Sequence, residues 1–331
     1  MGDVIHSLAF LHTLKQNCPS AEVHWVIAKG LESLLLNHPL IDKVWIIDKT
    51  QWKRLRRFKT SLSEINALKD GLAAEAFDLV IDLQGLLRSG LVAWATRSPI
   101  KIGFAEAKEG SCFFYTHRVA GGRQIHAVDR YLKILQFLGG AVAEIKFHLP
   151  PLNSNAELLK SLPAEYIVMA PSAGKIANMW PAERFGALAA RLPLPALIIG
   201  SKQDAWVTRT AVDHSRGRAL DLGGKTDLNG LMNVIKNARL LISNDTGPMH
   251  MAVALGVPVV AIFGPANPVR TGPYGPMHTI VREELECSPC YRKKPCRHWQ
   301  CLLNITVDRV YETVLARMQR KAGSKEREAG D

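Results

Sequence analysis

The sequence lacks any run of apolar residues long enough to cross a lipid bilayer. A membrane-spanning helix needs about 18 such residues in succession, and no apolar stretch among the 331 residues approaches that length. The amino terminus also lacks the order of a secretory signal, in which a positive segment precedes an apolar one. These absences predict a cytoplasmic protein without a membrane span.

Cysteine and acidic residues are both scarce. Six cysteines in a cytoplasmic chain of this length argue against a disulfide framework and for reduced thiols. With 30 acidic against 42 basic residues, the formal net charge is +12. This excess indicates anionic partners, which could be nucleic acid, an anionic membrane surface or phosphorylated substrates.

The hydrophobic content of 47% in 331 residues is sufficient for two cores. Apolar strand-like runs alternate with helical segments, which is typical of parallel sheets covered by helices. We interpret the Pro-, Asn- and Ser-containing stretch between Leu149 and Pro163 as a linker. The predicted organisation is a domain at 1–152, a domain at 163–306, a packed helix at 307–320 and a disordered tail at 321–331. The predicted strands are 23–27, 43–47, 79–83, 166–170, 196–199, 240–243 and 257–263.

The amino terminus departs from this alternation, because an apolar helical pattern begins at Ile5 with no strand before it. A doubly wound domain ordinarily begins with its central strand. We therefore expect that the first strand of the amino-terminal domain is missing and that the chain starts at an internal methionine.

The most informative segment is residues 243–250, Ser-Asn-Asp-Thr-Gly-Pro-Met-His, which joins an apolar strand to an apolar helix. Small residues let the backbone approach a ligand, and the amides at a helix start suit a diphosphate. Thr246 and His250 can donate further hydrogen bonds. The alternative is an ordinary loop in which Asp245 or Thr246 caps the helix. A second buried strand, ended by Gly264 and Pro265, would open onto the same crevice and favours the ligand site.

With these two segments the chain resembles glycosyltransferase family 9, whose members carry D-T-G-x-x-H followed by G-x-P-x-x-x-x-F/Y-G-P. The match extends to Gly-Asp-Val-Ile-His at 2–6 and to Asp-Leu-Gln-Gly-Leu-Leu-Arg-Ser at 82–89. Phe114 and Tyr115, together with His-Ala-Val-Asp-Arg at 126–130, follow the heptosyltransferase I subgroup. The resemblance implies an α/β fold of the GT-B type, with two Rossmann-like doubly wound domains facing a central cleft.

The same resemblance implies an activity and its residues. The reaction would be inverting transfer of heptose from ADP-heptose to a Kdo residue of the lipid A inner core, at the cytoplasmic face of the inner membrane, with no cofactor required. Asp3 would be the catalytic base, although a carboxylate at a helix start can also be a simple cap. The donor would be bound by Asp204, Thr226, Asp245, Thr246, Gly247 and His250. Asp204 would hold the ribose; the alternative is a solvated surface acid.

One donor loop departs from the family pattern. Relatives carry a Lys/Arg pair directly before Trp-Pro, whereas here Asn178 and Met179 precede Trp180. Lys175 lies three positions before Asn178 and could reach the phosphates, because lysine is a flexible point charge. We expect Ser172, Lys175 and Asn178 to contribute to this part of the donor site.

A basic run at 51–59 interleaves five positive charges with apolar residues. Its default interpretation is a solvated basic face, but the resemblance favours recognition of an acidic acceptor or of an anionic membrane surface. The predicted acceptor-binding residues are Lys53, Arg54, Arg56, Arg57, Arg88 and Arg130.

Four cysteines follow the spacing C-x2-C-x5-C-x4-C. Four thiolates can hold a structural zinc ion, while free thiols or a redox-dependent disulfide are the alternatives. The residues are Cys287, Cys290, Cys296 and Cys301.

Two other functions stay open at this stage. A nucleic-acid-binding protein could use the basic run and a zinc loop, but the sequence has no recognised nucleic-acid-binding motif, so we expect no nucleic acid partner. A family 9 enzyme with a different acceptor, or with specificity for the second heptose, is the nearer alternative.

Overall fold

The computed structural model describes residues 1–48, 58–153 and 155–328. The chain divides into two compact units, Asp3–Pro150 and Pro151–Asp331. The division falls at the start of the stretch interpreted as a linker. Asn153 belongs to the second unit, where its backbone amide donates to Oδ1 of Asn229 at 3.1 Å and its carbonyl accepts from Nδ2 of Asn233 at 3.0 Å.

Among the residues that the structure describes, the first unit contains two small parallel sheets. One pairs β1 (His24–Ala28) with β2 (Lys43–Ile47), and the other has the order β3 (Leu79–Asp82), β4 (Ile100–Phe104), β5 (His117–Val119). Within the described residues no ladder joins the two sheets and no strand precedes the first helix. A start at an internal methionine stays a prediction. The helices are α1 (Gly2–Asn17), α2 (Phe58–Ala74), α3 (Leu87–Ala95) and α4 (Ala127–Phe137).

Helix α1 has a continuously buried central segment. Every residue from position 5 to position 13 is buried, so apolar or hydrogen-bonded side chains surround the helix on all sides. Thr13 satisfies its hydroxyl by donating to the carbonyl of Ala9 at 2.8 Å. Both ends of the helix are accessible, and Asp3 is exposed in the first turn. Burial of the helix body therefore holds Asp3 in a defined position.

The second unit contains one parallel sheet of six strands in the order β11-β10-β9-β6-β7-β8. The strands are β6 (Ile167–Ala170), β7 (Ala196–Ile198), β8 (Ala219–Asp221), β9 (Leu240–Asn244), β10 (Val259–Phe263) and β11 (Thr279–Arg282). The helices are α5 (Ala156–Lys160), α6 (Ala182–Ala189), α7 (Ala205–Asp213), α8 (Leu228–Lys236), α9 (Gly247–Ala254), α10 (Pro268–Thr271), α11 (Gln300–Leu303) and α12 (Val307–Glu328). The order is that of a doubly wound sheet, whose direction of winding reverses between β6 and β9.

The α/β fold with parallel sheets confirms the predicted fold class. All seven predicted strands are present, with ends that differ by at most two residues. Sequence reasoning missed β4, β5, β8 and β11. Three of these are edge strands, and an edge strand is partly solvated, so it need not form a continuous apolar run.

The last helix is longer than predicted. Val310 and Val314 are fully buried in the core of the second unit, as expected for a packed helix. The helix continues to Glu328, through most of the stretch that we assigned to a disordered tail at 321–331. Lysine, arginine, glutamate and alanine, which dominate this stretch, are strong helix formers.

Within the described residues, no helix combines the length and the apolar character that are needed to span a bilayer.

Candidate functional site

The carboxyl ends of β6 and β9 meet at the centre of the six-stranded sheet. These two strands are hydrogen-bonded neighbours, with Ala170 opposite Ser243. The segment with Ser172, Lys175 and Asn178 follows β6, and the segment with Asp245, Thr246 and Gly247 follows β9. In open α/β sheets, ligands bind where the winding direction reverses. The structure thus brings the predicted donor residues of two segments to that point.

A buried amide joins the two segments. Asn244 is completely inaccessible to solvent. Its Oδ1 accepts a hydrogen bond from the backbone amide of Trp180 at 3.0 Å, and its Nδ2 donates to the carbonyl of Pro171 at 2.7 Å. Both donor segments are therefore held in one arrangement by a residue that the sequence analysis did not single out. An asparagine at the end of a buried apolar strand was the available signal, because a buried amide needs partners.

The carboxylate of Asp245 is the most perturbed acid at this point. Burial raises its pKa to about 6, and the positive charge of Lys175 opposes this rise. Nδ2 of Asn178 donates to Oδ2 of Asp245 at 3.1 Å. Asn178 and Lys175 thus both act on Asp245. Replacement of the family's Lys/Arg pair by Lys175 stays a prediction. A partly buried carboxylate beside an exposed lysine near the reversal point is typical of a binding site.

The start of α9 presents backbone amides at the same edge. Thr246 occupies the capping position, but its side chain makes no capping hydrogen bond, and Pro248 follows in the first turn. The alternative that Thr246 is an ordinary cap is therefore wrong for its side chain, and its hydroxyl is not used to hold the helix. The amides and dipole at this end favour a bound anion. His250 is buried in the same turn.

Asp204 and Thr226 lie farther along this edge, after β7 and β8. Oδ2 of Asp204 accepts from the backbone amide of Ser201 at 3.1 Å and from its hydroxyl at 2.6 Å. One carboxylate oxygen is thus occupied in holding the turn before α7. Thr226 precedes Asp227, whose Oδ1 caps α8 by accepting from the amide of Gly230 at 2.7 Å. Roles of Asp204 and Thr226 in donor binding stay predictions.

In the first unit, Asp3 lies exposed in the first turn of α1. The carboxylate is close to Tyr131 on α4: burial raises the pKa of Tyr131 far above its usual range, and the charge of Asp3 is the next largest cause. Tyr131 also feels the charge of Asp82. The exposed carboxylate of Asp3 thus acts electrostatically on a buried hydroxyl of α4.

Asp82 organises the turn that follows β3. Its Oδ1 accepts from the backbone amides of Gln84 at 2.9 Å and Gly85 at 3.0 Å, and its Oδ2 accepts from the hydroxyl of Tyr115 at 2.6 Å. Burial and this carboxylate raise the pKa of Tyr115 well above its usual range. Three donors to one buried carboxylate fix the turn that leads to Arg88.

The two predicted acceptor-binding arginines that the structure describes differ in their surroundings. Arg88 lies half-buried in the first turn of α3. The guanidinium of Arg130 lies 3.8 Å from the ring centre of Phe104 and 4.0 Å from Oε2 of Glu106. Arg130 is therefore positioned by an aromatic face and a carboxylate. The other predicted acceptor residues, Lys53, Arg54, Arg56 and Arg57, lie outside the described residues.

The four clustered cysteines are free thiols that influence one another. Burial, followed by the three other cysteines, raises the pKa of Cys301 to about 11. The backbone amides of Trp299 and His298 lower the pKa of Cys296, whose Sγ accepts from the Trp299 amide at 3.2 Å. Among the residues that the structure describes, no group of three or more potential ligands is arranged to hold a metal ion. The structural zinc site at Cys287, Cys290, Cys296 and Cys301 stays a prediction.

Comparison with known proteins identifies the family. The model of glycosyltransferase family 9 (heptosyltransferase) matches residues 65–320. Lipopolysaccharide heptosyltransferase 1 of Pseudomonas aeruginosa is 28% identical, with 88% of this chain and 84% of the relative covered. The lipopolysaccharide core heptosyltransferase OpsX of Haemophilus influenzae is 25% identical, with 85% and 81% covered.

Solved structures share the fold. A family 9 glycosyltransferase from Veillonella parvula superposes with a TM-score of 0.81 at 26% identity, covering 96% of this chain and 94% of the other. The Escherichia coli heptosyltransferase WaaC with ADP gives a TM-score of 0.76 at 23% identity, with 96% and 97% covered. The matched segment, which includes both donor loops and the whole sheet that carries them, shows that this chain belongs to glycosyltransferase family 9, the heptosyltransferase family.

Proposed function

We propose that the protein transfers heptose from ADP-heptose to a Kdo residue of the lipid A inner core. The single observation that carries the donor side is the meeting of Lys175, Asn178 and Asp245 beside the start of α9, at the reversal point of the sheet. A nucleoside diphosphate sugar presents a diphosphate, which lysine and helix-terminal amides recognise. Escherichia coli WaaC has been solved with ADP and with ADP-2-deoxy-2-fluoro heptose.

The proposed reaction is a single displacement. The acceptor oxygen attacks the anomeric carbon of heptose, a new C–O bond forms, and the bond from that carbon to the diphosphate oxygen breaks. The acceptor hydroxyl gives its proton to the carboxylate of Asp3, and ADP leaves. One displacement inverts the configuration at the anomeric carbon.

The charge that develops on the departing diphosphate has stabilising partners in the second unit. The amides at the start of α9 and the ammonium of Lys175 favour negative charge there. In this proposal they supply the stabilisation and no metal ion is required for transfer. A chelator in the assay is expected to leave the rate of transfer unchanged.

Asp3 suits the role of base because of its accessibility and position. It is exposed, in the first turn of a helix whose body is buried. The capping position of α1 is Met1, and the backbone carbonyl of Asp3 accepts from the hydroxyl of Ser7 at 2.7 Å. In this proposal the exposed carboxylate of Asp3 accepts the proton of the acceptor hydroxyl.

The test is a mass-spectrometric transfer assay with ADP-heptose and a panel of acceptors, including a Kdo-bearing saccharide, the same saccharide already carrying one heptose, and a glycan without Kdo. We expect transfer to the Kdo-bearing saccharide. Transfer only to the acceptor that already carries heptose would favour second-heptose specificity, and transfer only to the other glycan would overturn the Kdo assignment.

The role of Asp3 is tested by Asp3→Asn. Loss of the base is expected to lower kcat by about 10²- to 10⁴-fold while the donor KM changes little, because general base catalysis acts on the chemical step. Glu183→Gln is the matched control, an exposed acid in the first turn of α6. An Asp3→Asn enzyme with a kcat close to wild type would show that another group takes the proton.

A lipid-linked acceptor would lie in a membrane, so the enzyme must reach the membrane surface. We propose that it works at the cytoplasmic face of the inner membrane, in peripheral contact with anionic lipid.

A further inference from the structure

Helix α3 carries a stripe of large apolar side chains on its solvent face. Leu87 is 43% exposed, Leu91 is 44% exposed and Trp94 is 54% exposed. At 3.6 residues per turn, these three positions fall within about 60° of the helix circumference. The buried positions of the same helix are Gly90 and Ala93, so the stripe is separate from the face that packs on the unit. Exposed apolar residues that form a stripe indicate an interaction surface, whereas scattered ones do not.

A neighbouring turn adds a second aromatic residue. Phe113 is 79% exposed and belongs to the short 3-10 helix Ser111–Phe114. This turn packs against α3 beside Gly90, where an added Cβ would lie 2.7 Å from Cδ2 of Phe114. Gly90 permits that close approach, so Phe113 lies exposed on a turn that packs against α3. The guanidinium of Arg118 lies 5.9 Å from the ring centre of Phe113.

Positive charges surround Trp94. Nζ of Lys69, on α2, lies 5.7 Å from the ring centre of Trp94. Lys69, Arg97 and Lys101, together with Trp94 and Ala95, line an open pocket of about 360 Å³. No acidic side chain is among the described residues that line it. Nζ of Lys101 donates to the carbonyl of Ser98 at 2.5 Å, which holds one of these cations at the pocket.

We propose that this surface, formed by Leu87, Leu91, Trp94 and Phe113 with the cations Lys69, Arg97 and Lys101, docks the enzyme onto an anionic phospholipid bilayer. The proposal rests on the proposed function, whose acceptor is lipid-linked. It assigns the membrane contact to described residues other than the basic run at 51–59. Tryptophan and leucine enter the interfacial region of a bilayer, while lysine and arginine next to them meet lipid phosphates.

Charge complementarity selects this occupant over a second copy of the chain. The protein carries a formal net charge of +12, and the pocket beside Trp94 is cationic. Two such surfaces facing each other would bring the cations together, which costs free energy. An anionic bilayer offers phosphates to the cations and acyl chains to the stripe at the same time.

The test is co-sedimentation of the full-length protein with vesicles, in the absence of substrate. One set of vesicles contains phosphatidylglycerol with phosphatidylethanolamine, and the other contains phosphatidylcholine alone. We expect binding to the anionic vesicles that weakens with added salt. A wild-type protein that binds neither vesicle would overturn the proposal.

Two variants separate the apolar and the charged contributions. In the double variant Leu91→Gln with Trp94→Gln, the partition coefficient onto anionic vesicles is expected to fall about tenfold or more, because apolar surface no longer enters the bilayer. In the triple variant Lys69→Gln, Arg97→Gln and Lys101→Gln, the preference for anionic over neutral vesicles is expected to disappear. Unchanged binding of the double variant, or an unchanged preference of the triple variant, would overturn the proposal.

Trp206→Gln is the matched control. Trp206 is 62% exposed on α7 in the other unit and has no part in the proposed surface, so its replacement should leave vesicle binding unchanged. If Trp206→Gln lowered binding as much as the double variant does, any exposed tryptophan would account for the result and the proposal would fail. Sedimentation velocity distinguishes self-association: a dimer that the double variant dissociates, without loss of vesicle binding, would assign the surface to a second copy.

Failure of this proposal and failure of the proposed function are distinguishable. Transfer to a Kdo-bearing saccharide without acyl chains should be the same in the double variant and in the wild type. Vesicle binding without heptose transfer by the wild type would leave the surface standing and reject the proposed function. Heptose transfer with no vesicle binding would support the proposed function and reject the membrane-docking surface.

Discussion

The sheets of the two units differ in continuity and in burial. In the second unit six strands form one parallel sheet, and every residue of β6, β9 and β10 is buried. In the first unit the strands form two sheets of two and three strands, and most residues of β1 and β3 are only half-buried. The same alternation of strands and helices has thus given one fully covered sheet and two less covered ones.

The two units also fix the loops that carry their candidate functional residues in different ways. The second unit fixes its donor segments through a buried amide at the centre of a covered sheet, Asn244. The first unit fixes its turn after β3 through a carboxylate, Asp82, that three donors satisfy. We infer that the donor side depends on the sheet core, whereas the acceptor side depends on local polar contacts and on the buried α1.

The largest expected effect is on stability, and it compares a strand of the six-stranded sheet with a strand of the three-stranded sheet. Ile242 on β9 is fully buried, whereas Ile81 on β3 is half-buried. Ile242→Ala should lower the free energy of unfolding of the second unit by about 4 kcal/mol, whereas Ile81→Ala should lower that of the first unit by about 1 to 2 kcal/mol. The difference is expected because a fully buried side chain loses more burial and leaves a larger cavity when it is truncated. Native-state hydrogen exchange read by mass spectrometry reports each unit separately. Equal losses would show that the two sheets are equally well supported.

A smaller effect on stability is expected at Asp245, whose partly buried carboxylate follows the carboxyl end of β9. Its folded-state pKa of about 6 lies above the ordinary value of 3.8, so ionisation is harder in the folded than in the unfolded chain. The penalty is absent below about pH 4, grows as the pH rises to about 6, and is constant above that. Asp245→Asn removes it and should raise the free energy of unfolding by about 3 kcal/mol at pH 7.5, with less gain at lower pH.

Urea unfolding at a series of pH values measures this gain. Asp213→Asn is the control, because Asp213 is an exposed acid at the end of α7 and its replacement should change stability little. A loss of stability in Asp245→Asn at pH 7.5 would mean that the ionised carboxylate has stabilising partners that outweigh its burial.

The smallest expected effect concerns Lys175. Lys175→Ala should raise the donor KM about tenfold, because one charge-assisted contact with the diphosphate is lost, and it should leave the acceptor KM unchanged. Steady-state kinetics with each substrate varied in turn measure both constants. Lys236→Ala, an exposed lysine at the end of α8, is the control. An unchanged donor KM would show that Lys175 does not replace the family's basic pair, and would leave the start of α9 as the main anion site.

Much of the donor side could be predicted from the sequence. The loop at 243–250 and its position between a buried strand and a helix follow from local periodicity and from small residues at the helix start. The pairing of Asn178 with Asp245 could not be predicted, because these residues are 67 positions apart and meet only because β6 and β9 are neighbours. The same holds for Asp82 and Tyr115, which are 33 positions apart.

Three of the four missed strands share a physical cause. β5, β8 and β11 lie at sheet edges, where one side of the strand meets solvent or loops and polar residues are tolerated. β4, the fourth, is the central strand of its sheet, and edge position does not account for it. The exposed stripe on α3 was also missed, because helical spacing of apolar residues such as Leu87, Leu91 and Trp94 is the usual signature of a buried face. Only the accessible surface of each side chain distinguishes an exposed apolar stripe from a buried one.

By itself the sequence determined the α/β class, most of the central strands, the family and the segments that follow the strands, since each of these depends on residues close together in the chain. Tertiary structure alone decided the strand order, the split of the amino-terminal strands into two sheets, the raised pKa of Asp245 and the outward face of α3. These features depend on which distant segments pack together and which surfaces they leave to water, and periodicity along one segment carries no information about either.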